Sequence, residues 1–174
     1  MILLIEKAKS GDKDAFNKLI PIIQRKLYFV AKSKIFNEED VKDVIQITLT
    51  KAYKNINNLK DNNKFVCWIT NILINTCNTF LKKNISEESL SYEDSQLDNF
   101  SLEEDIYIEV DDDIDFYTMI EDLYEEERIL LSMYYSDEYT TKEISEILKI
   151  NESTIRSKIS RAKIKIAKKY EKEV

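Results

Sequence analysis

Hydroxyl and guanidinium groups follow one another at short spacing near the end of the chain. The set consists of Ser153, Thr154, Arg156, Ser157, Lys158, Ser160 and Arg161. Small hydroxyls allow a helix to approach a base edge closely, and arginine can donate paired hydrogen bonds to a base or a phosphate. From Lys149 to Tyr170, eight Lys and Arg residues stand against one Glu. The pattern indicates binding to a polyanion, with a solvated basic face as the plainer alternative.

Several kinds of catalytic or metal chemistry are disfavoured by the composition. The chain has no histidine, which removes the commonest general base, the commonest metal ligand and any Ser-His triad. Cys67 and Cys77 lie within a helical pattern and are predicted to be small buried residues, not a disulfide or a metal pair. The acidic run 111–113 lacks the spaced ligands and the glycine of a calcium loop. We therefore expect no enzyme activity, no cofactor and no metal.

Two helices and a short turn would hold the C-terminal cluster in place. Thr140 or Thr141 can cap the first helix, with Glu143 as the partner in a capping box. The turn 149–151 follows, and its asparagine can cap a second helix from about Glu152 to Tyr170. The positions that share a buried face at helical spacing are Ile144, Ile147, Leu148, Ile155, Ile159, Ala162 and Ile166. The arrangement predicts a helix-turn-helix that binds duplex DNA.

A supporting helix is predicted upstream of this motif, over residues 119–135. Its expected core residues are Ile120, Leu123, Tyr124, Ile129, Leu130, Leu131 and Met133. Ile164 lies opposite the buried face of the second helix, so it must meet DNA, a partner or water.

Charge is strongly segregated along the chain. Residues 1–85 carry a net charge of +7, residues 86–127 carry −18 without one Lys or Arg, and residues 128–174 carry +4. Basic modules suit a polyanion such as DNA. The acidic stretch repels itself, so we predict a flexible, extended linker. It could be a plain solvated spacer, or it could mimic nucleic acid in a basic channel of a partner.

The predicted fold is all-α, with two helical domains. We expect one domain at 1–85, an acidic linker at 86–115 and the helix-turn-helix domain at 116–174. Domains this small bury marginal cores, so partner binding should stabilise at least one of them. The apolar opening Met1–Ile5 is followed at once by charges, unlike a signal peptide, and no stretch is long enough to span a membrane. A cytoplasmic protein without membrane contact of its own is expected.

The C-terminal half resembles a known domain. Residues 139–163 resemble the promoter-reading domain four of bacterial sigma factors, and the residues closest to its recognition helix are Glu152, Thr154, Ile155, Arg156, Ser157, Arg161 and Ala162. The family usually has glycine in the turn, where this chain has Lys149. A left-handed backbone at that position would be slightly strained.

The N-terminal half resembles the small, two-domain extracytoplasmic function (ECF) sigma factors independently. The matching residues are Gly11-Asp12, Ala15-Phe16, Asp40 to Gln46, Lys51 to Tyr53, Phe65, Trp68, Ile69, Ile72, Asn75 and Leu81 to Lys83. The resemblance implies a subunit that directs RNA polymerase core to promoters and aids melting, while the polymerase performs the chemistry. Family members are often held by an anti-sigma factor.

Two further surfaces follow from this resemblance. On the helix predicted from about Glu39 to Asn57, the polar stripe of Asp43, Gln46, Thr50 and Lys54 lies opposite the apolar face, and by resemblance it binds the largest polymerase subunits. The resemblance assigns melted minus-ten DNA to Asn58, Leu59, Lys60, Asn62, Asn63, Lys64, Trp68, Asn75, Lys82 and Lys83. Residues 57–64 form an asparagine-rich loop. In related factors this loop and the position of Asn75 hold a flipped base. The plainer alternatives are a solvated stripe, a loop shaped by AT-rich coding and a core Trp68.

The minus-thirty-five duplex would then be bound by the C-terminal cluster at residues 153–161. The main alternative is a stand-alone helix-turn-helix regulator, which should bind duplex DNA without polymerase. A helical scaffold or adaptor that binds only proteins is the third class.

Overall fold

The computed structural model describes residues 1–85, 114–135 and 139–170. Residues 86–113, the main part of the predicted linker, lie outside this range. The helices are α1 Ile2–Lys9, α2 Lys13–Asn17, α3 Ile20–Lys32, α4 Glu38–Asn55, α5 Phe65–Ile85, α6 Ile114–Ile120, α7 Glu125–Tyr135, α8 Thr141–Leu148 and α9 Glu152–Tyr170. Two 3₁₀ turns, Ile56–Asn58 and Asn62–Lys64, join α4 to α5. The described residues contain no strand, and the all-α prediction is confirmed.

The N-terminal module is built on the packing of α3, α4 and α5. Helix α4 begins where the Asn37 side chain accepts hydrogen bonds from the backbone amides of Glu39 and Asp40. Acidic residues in its first turn stabilise the helix through their interaction with the positive end of the helix dipole. The predicted apolar face is buried in full: Val41, Val44, Ile45, Thr48, Leu49, Ala52 and Ile56. Burial of this face fixes which side of α4 remains exposed.

Both cysteines of α5 are free and buried, as predicted. Burial is the main reason that the pKa of each thiol is raised to about 11. The thiols are therefore protonated and unreactive near neutral pH.

The prediction of a single supporting helix over 119–135 is wrong, because the chain turns between α6 and α7. Glu127 reaches back to the backbone amide of Tyr124 at 3.3 Å and caps α7. Arg128 donates to the carbonyl oxygen of Leu123 at 2.7 Å and holds the turn. Tyr124, predicted to be core, is consequently 77% exposed. Helix α6 begins at Ile114, so the predicted domain boundary at 116 falls inside it.

The helix-turn-helix forms through the predicted caps. Thr140 and Glu143 make a capping box at the start of α8, and the Asn151 side chain accepts from the backbone amide of Thr154 at 2.9 Å. The predicted core positions of α8 and α9 are buried or half-buried. Ile164 is 53% exposed on the opposite side of α9.

The two modules lie against each other, with α3 and α5 packed on α7 and α8, in what we call the closed arrangement. The Lys34 side chain, only 1% exposed, pairs with Glu125. The Tyr139 hydroxyl donates to the carbonyl oxygen of Lys26 at 3.0 Å and lies 3.2 Å from the Thr70 hydroxyl. One hydrophobic core runs through both modules. In the part of the chain that the structure describes, none of the helices combines the length and the hydropathy of a membrane span.

A stability prediction concerns the turn between α8 and α9. Lys149 adopts φ 56° and ψ 38°, a left-handed conformation that costs a non-glycine residue about 1 kcal/mol or more. We expect Lys149→Gly to raise the free energy of unfolding by about 0.5–1 kcal/mol, measured by urea denaturation. Lys149→Ala removes the same charge but keeps the strain, so it should show no such gain. Equal stability of the two variants would contradict the explanation.

Candidate nucleic-acid and polymerase interfaces

The outer face of α9 presents most of the C-terminal cluster to solvent. Five of its seven members are exposed: Ser153, Arg156, Ser157, Ser160 and Arg161. Ser157 donates to the backbone carbonyl of Thr154 at 3.0 Å, and Arg161 Nε donates to that of Ser157 at 3.3 Å. These local hydrogen bonds keep the side chains close to the helix surface. A low, polar, cationic face of this kind fits a major groove.

Two members of the predicted cluster lie elsewhere. The Thr154 hydroxyl donates to the Asn151 side chain at 2.6 Å, so it belongs to the helix cap. Lys158 is half-buried and its ammonium lies 3.0 Å from the Glu126 carboxylate of α7. The sequence pattern could not show this partner because it lies 32 residues upstream.

One edge of α9 is neutralised by acidic residues of the α6–α7 region. Besides the Lys158 pair, Lys165 lies 2.5 Å from Glu127 and Lys169 lies 2.6 Å from Asp122. The positive charge of α9 is therefore partly used within the module. Arg156 and Arg161 stand on the exposed face, where they can meet an external anion.

The asparagine-rich loop is organised by hydrogen bonds that sequence reasoning missed. Asn62 accepts from Lys9 of α1, and Asn63 donates to Asp61. Leu59, predicted to contact DNA, is only 4% exposed and anchors the loop to the core. The Leu59 side chain therefore lies in the core and not on the loop surface, and its DNA contact stays a prediction. Asn58, Lys60 and Asn63 remain exposed on the loop surface, and Asn62 is half-buried.

Lys64, at the end of the loop, pairs with Glu146 of α8. The hydrogen bond to Glu146 is the main cause that raises the pKa of Lys64, and the same bond is the main cause that lowers the pKa of Glu146. Cys67 donates to the second oxygen of that carboxylate at 3.5 Å. In the closed arrangement, the Lys64 ammonium is therefore paired with a carboxylate of the C-terminal module.

The remaining predicted minus-ten residues lie along α5. Trp68 is half-buried, with its ring centroid 6.1 Å from that of the buried Phe65, so it is partly a core residue. Asn75 is exposed, and ten residues of helix put it about 15 Å from the start of α5. Lys82 and Lys83 are exposed near the far end of the helix. The predicted set therefore follows the length of one helix and does not converge on one point.

The polar stripe of α4 is exposed at three of its four predicted positions, Asp43, Gln46 and Lys54. Thr50 is only 8% exposed, and its hydroxyl donates to the carbonyl oxygen of Gln46 at 3.0 Å. The structure does not place the Thr50 side chain on the surface, because this hydrogen bond turns it back onto the helix.

Comparison with known proteins assigns both modules. The model of sigma-70 region 2 matches residues 20–86, and the model of sigma-70 region 4 matches residues 114–166. The chain is 26% identical over 169 residues to the ECF RNA polymerase sigma factor SigW of Bacillus subtilis, covering 91% of this chain and 90% of that protein. It is 28% identical over 185 residues to the ECF RNA polymerase sigma-E factor of Escherichia coli K12, covering 97% and 93%. The chain is an ECF sigma factor.

Solved structures share the fold of this ECF sigma factor. CnrH, in a complex with the cytosolic domain of CnrY, has a TM-score of 0.72 at 17% identity, with coverage of 99% and 98%. The sigma factor RpoE of Bartonella quintana, in a co-crystal with the anti-sigma factor NepR, has a TM-score of 0.64 at 20% identity, with coverage of 90% and 96%. The match to region 2 as well as region 4 does not favour the stand-alone regulator.

A prediction tests the division of charge on α9. We expect the double variant Arg156→Ala, Arg161→Ala of the sigma factor to weaken binding of its holoenzyme to promoter duplex by about tenfold or more. It should also flatten the dependence of affinity on salt, because each lost phosphate contact lowers the slope by about 0.9. Binding of promoter DNA across a salt series measures both effects.

The matched control removes two lysines that are already paired inside the module, through Lys158→Ala and Lys165→Ala. Their intramolecular partners predict a much smaller change in the salt slope. An equal loss of slope in both double variants would refute this division of the basic residues.

Proposed function

We propose that this sigma factor recognises promoters through a division of labour between its two modules. The N-terminal module docks on polymerase through the α4 stripe and holds melted minus-ten DNA with the loop and α5. The C-terminal module reads the minus-thirty-five duplex with α9. The exposed row of serines and arginines on α9 carries this proposal, because it is a groove-fitting surface on the region 4 match. RNA synthesis remains the chemistry of the polymerase, and the site of action is the cytoplasm.

The minus-ten role is supported by the asparagine-rich loop. Its amides offer donors and acceptors that suit the edge of an unpaired base. Lys60 on the loop and Lys82 and Lys83 on α5 supply positive charge for the backbone of the single strand. Tethering both modules to one polymerase would turn two weak DNA contacts into one selective complex.

The closed arrangement must open for both contacts to form together. The two promoter elements lie roughly 25 base pairs apart, or about 85 Å at about 3.4 Å per base pair. The 28 residues between Ile85 and Ile114 can reach at most about 95 Å when fully extended. The chain between the modules is therefore long enough for them to separate on a promoter. Since RpoE binds the anti-sigma factor NepR, we propose that a protein of that class holds this chain closed.

The polymerase stripe is tested by the double variant Asp43→Ala, Gln46→Ala. It should lose co-purification with core polymerase, because both side chains project from the exposed face of α4. Transcription from a genomic DNA library by core polymerase, with and without the chain, gives the functional measure. The wild-type chain should select a set of promoters that the variant fails to select. The α9 double variant is the control, because it should lose promoter selection while it keeps polymerase binding.

The opening is tested with fluorescent labels on introduced cysteines, through Lys42→Cys on α4 and Lys168→Cys on α9. Both positions are exposed, and the native thiols are protected by burial and by a pKa of about 11. The distance between labels should increase by tens of ångströms when the chain joins polymerase and promoter DNA. An unchanged distance would contradict the proposed opening.

A further inference from the structure

The first helix of the molecule lies outside the sigma-70 region 2 match, which begins at residue 20. It is nevertheless an integral part of the fold, because Ile5 and Ala8 of α1 are buried in the common core. The burial directs the last residue of α1, the half-buried Lys9, towards the asparagine-rich loop 50 residues downstream. A helix without an assigned role thus contacts the loop that we propose for DNA binding.

The Lys9 ammonium makes two hydrogen bonds to that loop. Its Nζ atom lies 2.5 Å from the carbonyl oxygen of Leu59 and 2.6 Å from Oδ1 of Asn62. These acceptors belong to opposite ends of the link between the two 3₁₀ turns, so Lys9 fastens the turns to each other. Leu59 is held on its other side by apolar burial.

The contact also decides which way the Asn62 amide faces. A lysine ammonium can only donate hydrogen bonds, so it must take the oxygen of the amide and leave the NH₂ group on the other side. The neighbouring residue is oriented in the opposite sense. Asp61 Oδ1 accepts from the backbone amide of Asn63 at 2.9 Å and from its Nδ2 atom at 3.0 Å, which leaves the Asn63 oxygen free to face outward.

Two adjacent side chains therefore present different halves of their amides. Asn62 has its NH₂ group available, and Asn63 has its carbonyl oxygen available. The edge of every unpaired base likewise combines at least one donor with at least one acceptor. A fixed donor beside a fixed acceptor loses less conformational entropy on binding than two freely rotating amides would lose.

We propose that Lys9 is a positioning residue that sets the orientation of Asn62 for hydrogen bonding to an unpaired promoter base. The inference rests on the proposed function, since it requires that the loop receives melted DNA. Lys9 itself does not touch the base, because its ammonium is occupied by Leu59 and Asn62. Its effect passes through Asn62.

The test compares Lys9→Met with Lys7→Met. Both variants remove one positive charge from the last turn of α1, but Lys7 is exposed and lies about 200° around the helix from Lys9. Each sigma factor is assembled with core polymerase and bound to partly melted promoter fragments recovered from the genomic transcription experiment. Abasic sites are placed one at a time along the single-stranded minus-ten segment. The measurement is the loss of affinity at each abasic position.

For the wild type and for Lys7→Met, we expect one position at which an abasic site weakens binding by about tenfold, the value of two hydrogen bonds. In Lys9→Met that penalty should fall to about twofold, with penalties at the other positions unchanged. Selective loss at one position separates positioning from general destabilisation of the fold.

Three outcomes overturn the inference, and they differ in what else they remove. A full penalty in Lys9→Met would show that Lys9 does not position the base contact. An equal drop at all positions, with a lower melting temperature, would make Lys9 a merely structural residue. A wild-type complex with no penalised position would overturn the capture of a base by this loop, and thereby that part of the proposed function.

Discussion

The packing of α5 is the constraint on which the rest of this molecule depends. One side of the helix packs on α3 and α4 in the N-terminal module, and another meets α8 of the C-terminal module. Because a helix has a limited surface, the part of α5 that is buried against α8 is not available to any other partner. Lys64 and Cys67 contact Glu146 at this boundary, immediately beside the loop proposed for DNA. The position of the C-terminal module and the accessibility of the loop proposed for DNA are therefore linked through one helix.

The parts of the fold that could be predicted are those set by local physics. The caps at Thr140 and Asn151 and the apolar stripe of α9 depend on residues a few positions apart. The left-handed turn at Lys149 was not expected, because a side chain makes that conformation strained. The break before α7 was missed because helical periodicity continues through Leu123 and Tyr124. The signal that could have revealed it is the run of three glutamates at 125–127, which favours a helix start.

The candidate site was predictable in composition but not in detail. The exposed serines and arginines of α9 follow from its buried stripe, because a helix that hides one face must expose the other. The contacts and burial of the Lys158, Thr50 and Leu59 side chains could not be predicted in the same way. Lys158 depends on a carboxylate of another helix, Thr50 on a hydrogen bond to its own backbone, and Leu59 on how the loop closes over the core. Lys9 gave no sequence signal because its acceptors lie 50 and 53 residues away.

The buried ammonium of Lys34 gives the contact between modules an unusual energetic character. An ion that leaves water loses hydration energy of the same order as it gains from its counter-ion, so such a pair stabilises little in net terms. A misaligned association would instead leave the charge buried without Glu125, which is strongly unfavourable. The pair therefore favours one alignment of the two modules while adding little to the net stability of their contact. In the opening that we propose, water would return to the Lys34 ammonium and restore part of its hydration energy, so a contact that sets one alignment of the modules does not prevent their separation.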